Sequence, residues 1–259
     1  MLTVAQADEI ATFHPPQAGR PTVVLLATLV AGAWVWTDAV RALRERGFGC
    51  LVLKHPYAAE HASVAPLVSQ TFELMDHFEI ERATLIGASL GSLVAIDCAI
   101  ARPERVASLA ISGAPTRERP ELGIVNTGKV TLPNAFHIAG KLVADRDCVS
   151  HAVIEETFRY FSDRRRLTNL IRLLRESSEY DTAVRLPMVQ CDVLMVWGED
   201  DEISNCEGFA RLAPLVRHGS FVRLAGCGHS PMVERPDEFN AALFTHLAAV
   251  SDVNVSRST

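Results

Sequence analysis

Ser89 sits in Gly87-Ala88-Ser89-Leu90-Gly91, between the apolar run Ala83–Ile86 and an apolar helical pattern that follows at once. The order is strand, sharp turn, helix, with a serine at the apex. Glycines at 87 and 91 leave room for a tight turn and for close strand–helix packing. The N–H groups that open the helix lie beside the hydroxyl and are suited to negative charge. A serine hydroxyl is a weak nucleophile on its own. It needs a base to take its proton and a third group to orient that base.

Both partners have candidates later in the chain. His229 is one of nine histidines, but it lies in AGCGHSPMVERPDEF, a glycine-flanked loop between the last expected strand and the closing helix. Three carboxylates follow another strand in VWGEDDEIS: Glu199, Asp200 and Asp201. Catalytic groups in open α/β sheets gather at the carboxyl ends of strands, where all three acids stand. Cys227 lies two residues before His229. We expect it to be a packing residue, because a better-placed nucleophile exists.

The elements that must position these residues are legible as buried runs and amphipathic stretches. Thr22–Ala27, Cys50–Lys54, Ala83–Ile86, Arg105–Ser112, Asp192–Trp197 and Phe221–Leu224 read as strands, several of them continuously apolar as in a parallel sheet. Helices are expected near 37–46, 64–78, after Ser89, at 205–215 and at 236–249, and residues 2–13 read as an edge strand or hairpin remnant. The tail from residue 251 is expected to fray. Between Thr116 and Met188 the strand signal disappears and charged helical segments take over. The expected architecture is α/β, a mostly parallel sheet flanked by helices. Its core spans 1–115 and 189–259, with a helical cap inserted at 116–188. The cap arginines 159, 164–166 and 172 read as a solvated face. His137, His151, Phe136 and Phe158 read as cap packing.

Bulk properties narrow the function. A net charge of −6 gives no nucleic-acid footprint. No apolar run is long and clean enough for a membrane span, and the acidic start MLTVAQADEI is unlike a signal peptide. Six scattered cysteines without a C-x-x-C pair read as reduced thiols, so a cytoplasmic protein is expected. No phosphate-binding loop, dinucleotide glycine pattern or metal-ligand spacing occurs, so no cofactor is expected. The expected partner is a small, largely apolar molecule. A homodimer is compatible with the chain, but no feature of the sequence encodes one.

Three segments, IGASLGSLVAIDCAIARPERVASLAISGAP, VLMVWGEDDEIS and AGCGHSPMVERPDEF, resemble the α/β-hydrolase superfamily, serine type with a helical cap. The resemblance covers nearly the whole core. It implies a W-G-x-x-D acid, which selects Asp201, and a G-H-x-P-x-x-E-x-P histidine, which selects His229. Ser89 argues against relatives that carry aspartate at that position. The resemblance also implies an oxyanion hole from the backbone N–H groups of Leu90 and Leu29. Two departures stand out. Ala27-Thr28 replaces the usual His-Gly at the end of the first parallel strand, and KHPYAAEHAS replaces the usual loop after Leu53. A threonine at this position is similar to plant hydroxynitrile lyases, but those carry lysine where this chain has Ser230. Two expectations follow. The first is an acyl-enzyme hydrolase of an ester, thioester or lactone. The second is a lyase, cyclase or carbon–carbon bond enzyme with the Thr28 hydroxyl in its pocket.

Overall fold

In the computed structural model the described residues are 2–57, 61–115, 131–216 and 218–257. Seven strands form one sheet: β1 Ala11–His14, β2 Thr22–Leu25, β3 Gly49–Leu53, β4 Ala83–Ala88, β5 Val106–Ser112, β6 Asp192–Gly198 and β7 Gly219–Leu224. Their spatial order is β1-β3-β2-β4-β5-β6-β7. Only β1 runs antiparallel, pairing Ala11 with Leu53 and His14 with Cys50. The other pairings are parallel. This is an α/β-hydrolase fold.

The apolar runs explain why the sheet is buried on both sides. Side chains alternate across a strand. Val23, Leu25, Cys50, Val52, Ile86, Leu194 and Val196 therefore join one cluster, and Val24, Leu51, Leu53, Leu85, Leu109 and Ile111 the other. Helices α2 (Thr37–Glu45) and α11 (Pro236–Arg257) cover the first face, through Ala39, Leu43, Phe239, Leu243 and Leu247. Helices α3 (Ala65–His77) and α4 (Leu90–Ala101) cover the second, through Leu67, Phe72, Leu93 and Val94. Each of these leucine, valine and phenylalanine side chains, fully buried, contributes about 1.5–3 kcal/mol of transfer free energy.

The remaining helices include α1 (Val4–Ile10), α5 (Leu132–Leu142), α6 (His151–Phe161), α7 (Arg164–Glu179), α8 (Thr182–Arg185), α9 (Cys206–Leu212) and α10 (Pro231–Glu234). Four of them, α5 to α8, are inserted between β5 and β6. Residues 116–130, the first part of the expected cap, lie outside the described residues. The insert joins the second core cluster through Ile138, Phe161, Leu170 and Leu173. Polar ties fasten it as well. The Tyr180 hydroxyl donates to Asp97 on α4 at 2.5 Å, and Arg185 pairs with the same carboxylate at 2.7 Å. The backbone N–H of Val64 donates to Glu176 at 3.0 Å, and the Thr182 hydroxyl to the carbonyl of Pro115 at 2.7 Å.

Three details differ from the sequence reading. Residues 4–10 are helical, and only Ala11–His14 forms the edge strand. The reason is a capping box. Thr3 Oγ1 accepts from the N–H of Gln6, and the Gln6 side chain accepts from the N–H of Thr3. The closing helix continues to Arg257 instead of fraying from residue 251. The last strand begins at Gly219, two residues before Phe221.

Candidate active site

Ser89 caps α4 immediately after β4. Its backbone has φ 53° and ψ −123°, a conformation that L residues seldom adopt and that costs about 1–3 kcal/mol. The surroundings hold it there. The N–H of Ser89 donates to the carbonyl of Ser112 at 2.8 Å. The Ser92 hydroxyl lies 2.9 Å from the carbonyl of Gly87 and 2.8 Å from that of Ser112. The two motif glycines are required by space. A Cβ on Gly87 would fall 2.3 Å from the carbonyl oxygen of Gly91, and one on Gly91 would fall 2.5 Å from that of Ala27.

His229 is 4 % exposed, and its Nδ1 lies 3.0 and 2.9 Å from the two carboxylate oxygens of Asp201. Asp201 Oδ1 also accepts from the N–H groups of Ile203 and Ser204, both at 2.8 Å. Backbone donors thus hold the carboxylate alongside the imidazole. Glu199 and Asp200 are exposed, and Glu199 forms an outward ion pair with Arg223. Of the three acids only Asp201 turns in. The acid and histidine loops are joined directly. The N–H of Glu199 donates to Leu224 and that of Asp200 to Cys227, both at 2.9 Å. Gly198 permits that approach, because a Cβ there would lie 2.0 Å from the carbonyl oxygen of Gly228.

The other imidazole nitrogen, Nε2, is buried and has no hydrogen-bond partner among the described residues. The Ser89 hydroxyl does not bond it in this state. Catalytic hydrogen bonds are often long until substrate is bound. The Nδ1 bond to Asp201 favours the tautomer in which Nδ1 carries the proton and Nε2 is free to accept one.

The loop after β2 is shaped by Thr28. Its hydroxyl donates to the carbonyl of Ala31 at 3.1 Å and accepts from the N–H groups of Ala31 (2.8 Å) and Val30 (3.3 Å). The Thr28 N–H also goes to Ala31, and its carbonyl takes the N–H of Tyr57. The N–H of Leu29 is left without a hydrogen bond among the described residues, whereas those of Thr28, Val30 and Ala31 are engaged. Gly32 seats the loop on the neighbouring strand, since a Cβ there would overlap the carbonyl of Lys54. Of the loop after Leu53, residues 58–60 lie outside the described residues.

Cys227 is fully buried, and burial first, then the nearby Glu234 carboxylate, pushes its thiol up to about 12. That thiol stays protonated and inert at neutral pH. All six cysteines are free. Arg159, Arg164, Arg165 and Arg172 are exposed, and Arg166 lies over the Tyr160 ring. Phe136 and His151 stack edge to face at 4.9 Å. Among the described residues no group of acids, histidines and cysteines could hold a metal ion, and no helix is long and apolar enough to cross a membrane.

Two residues of the site escaped the sequence reading. Gly113 has φ +57° and lies against the His229 ring. Glu234 is buried at 5 % exposure, with its carboxylate against the histidine loop. The signal for Glu234 was its fixed place five residues after His229 in a motif read only for its histidine.

A strained serine follows a central strand, and a buried His–Asp pair comes from two later strand ends. The alpha/beta hydrolase family profile matches residues 23–242, and the chain belongs to that family. The chain is 25 % identical to a 2-hydroxy-6-oxononadienedioate/2-hydroxy-6-oxononatrienedioate hydrolase of Paraburkholderia phymatum, over 91 % of this chain and 90 % of that protein. Among solved structures, it resembles the 2-hydroxy-6-oxo-6-phenylhexa-2,4-dienoate hydrolase of a Rhodococcus species, with TM-score 0.75, 23 % identity, and 92 % and 94 % of the two chains covered. It resembles an esterase of Exiguobacterium antarcticum with TM-score 0.79, 15 % identity, and 92 % and 94 % covered.

Proposed function

We propose that the protein hydrolyses an ester, thioester or lactone of a small, largely apolar molecule through a Ser89–His229–Asp201 triad. The observation that carries this reading is the buried His229, tied to Asp201 at 2.9 Å through Nδ1 while Nε2 has no hydrogen-bond partner among the described residues. Ser89 Oγ attacks the substrate carbonyl and His229 Nε2 takes its proton. The leaving group departs with that proton, and an acyl-Ser89 ester remains. Water, deprotonated by His229, cleaves the ester and releases the acid. The Leu90 and Leu29 N–H groups are the donors we assign to the oxyanion. Losing one such donor costs about 2.7–4 kcal/mol, or roughly 100- to 1,000-fold in rate. The helical insert, with 116–188 as its proposed extent, is the cap that shapes the substrate's apolar body.

A second reading has support from the curated relative. A 2-hydroxy-6-oxo acid of the kind in its name carries a ketone and no ester, so hydrolysis there breaks a carbon–carbon bond. The same triad serves such a reaction once the carbon leaving group is protonated. The Thr28 hydroxyl is a poor candidate for that proton donor, because its hydrogen is committed to Ala31. The same commitment weighs against a lyase or cyclase that depends on Thr28.

The test uses a fluorophosphonate probe and two substrates. Labelling of Ser89, lost in Ser89→Ala, together with turnover of a p-nitrophenyl ester, supports the first reading. Decay of a 2-hydroxy-6-oxo dienoate with little ester turnover supports the second. A folded protein that the probe does not label argues against serine attack in both.

A further inference from the structure

Glu234 closes α10 and is almost fully enclosed. Its Oε1 accepts from the N–H groups of Gly228 (3.0 Å) and Ser230 (3.3 Å), the residues on either side of His229. Its Oε2 accepts from the N–H groups of Ala144 (2.7 Å) and Asp145 (3.4 Å) in the insert, just after α5. Gly228 N also reaches Oε2, at 3.1 Å. No cation pairs with this carboxylate among the described residues, so backbone donors from two segments compensate its burial. The two segments also touch directly. A Cβ on Gly228 would fall 2.6 Å from the nitrogen of Ala144 and 3.0 Å from the carbonyl carbon of Val143.

We infer that Glu234 is a positioning residue whose carboxylate ties the backbone on both sides of His229 to the insert at Ala144–Asp145. Seating of the insert at this point and alignment of His229 with Asp201 are then one event. The inference rests on the reading of His229 as the base, but its first readout does not need turnover. Misplacing a catalytic group by about 1 Å costs about 100-fold. A carboxylate shared among four N–H groups is therefore able to set the imidazole's position.

The experiment compares wild type, Glu234→Gln and Tyr180→Phe. The last loosens the insert at Asp97 without touching the histidine loop. Two quantities are read in protein whose circular dichroism remains native. One is the downfield proton resonance of His229 Nδ1–H, assigned by its loss in His229→Gln. The other is the rate of fluorophosphonate labelling at Ser89. Glu234→Gln is expected to shift and broaden the resonance and to slow labelling at least about 10-fold. Tyr180→Phe is expected to change neither. If Glu234→Gln does not fold, Ala144→Pro removes one donor on the insert side and is expected to move the resonance in the same way. An unchanged resonance in the folded variant overturns the inference. So does an equal change in Tyr180→Phe, because loosening the insert anywhere would then suffice. A shifted resonance in a protein that the probe never labels leaves the inference standing and removes the hydrolase mechanism instead.

Discussion

Gly113 lies against the imidazole of His229: a Cβ built on it falls 2.6 Å from Cε1 and 2.9 Å from Nδ1. The residue has φ +57°, where glycine is at ease and alanine is not. It follows β5, whose last residue, Ser112, accepts the N–H of Ser89. One strand end thus supports both the serine and the face of the histidine ring. Gly113→Ala is expected to push the ring off Asp201. The expected loss in kcat/KM is on the order of 100-fold. The left-handed backbone adds a stability loss of about 1–2 kcal/mol, measurable by urea unfolding. Full activity in the folded variant would contradict this account.

Asp201→Asn tests the tautomer. The Asn oxygen can retain the N–H groups of Ile203 and Ser204, which now go to Oδ1. The amide NH2 then faces His229 Nδ1 and makes it an acceptor. The proton moves to Nε2, which can no longer take one from Ser89. A fall in kcat of about 10,000-fold with little change in thermal midpoint is expected. Steady-state kinetics and a melting curve check both halves.

Ser89→Gly separates activity from stability. The strained backbone at φ 53° is native to glycine, so the change relieves part of the about 1–3 kcal/mol stored there. Glycine's greater freedom in the unfolded chain takes some of that back. The variant is expected to be inactive toward esters and to melt slightly higher than wild type. A lower midpoint would mean that the Ser89 side chain contributes more to the fold than the strain removes.

His246 on α11 gives the stability a pH dependence. It is buried, its Nε2 has no hydrogen-bond partner among the described residues, and burial holds its pKa below the ordinary value, with Asp192 and a backbone hydrogen bond to Leu109 partly opposing. The unfolded chain takes up that proton near pH 6.5, before the folded protein does. The unfolded state then binds more protons, so stability is intact above that pH and falls as the pH drops through it. His246→Phe is expected to flatten the decline of the thermal midpoint between about pH 7 and about pH 5. An unchanged slope would point to other groups.

The sequence carried the strands well, because a parallel sheet buried on both faces leaves continuous apolar runs such as Val23–Leu26 and Val193–Trp197. Ser89 and His229 were legible from glycine spacing and strand ends. Asp201 needed the family resemblance, since Glu199 and Asp200 are its equals in composition, and only the fold shows which carboxylate turns inward. The helix Val4–Ile10 was missed although Thr3-x-x-Gln6 spelled its capping box. Its seven residues carry too little periodicity to outweigh the strand beside it. Glu234 had a signal in its place in the histidine motif, but neither its role nor that of Gly113 was readable. Each depends on a contact between segments far apart in the chain: Gly113 with His229, and Glu234 with Ala144.

The order of strands in the sheet bears on the birth of the protein. Ser89 follows β4, whereas His229, the base we propose for it, follows β7, the last of these strands along the chain. A nascent chain emerging from the ribosome therefore carries Ser89 before His229, its proposed base, has been made. If the proposed triad holds, fragments truncated before His229 are expected to escape fluorophosphonate labelling even where their earlier strands have formed.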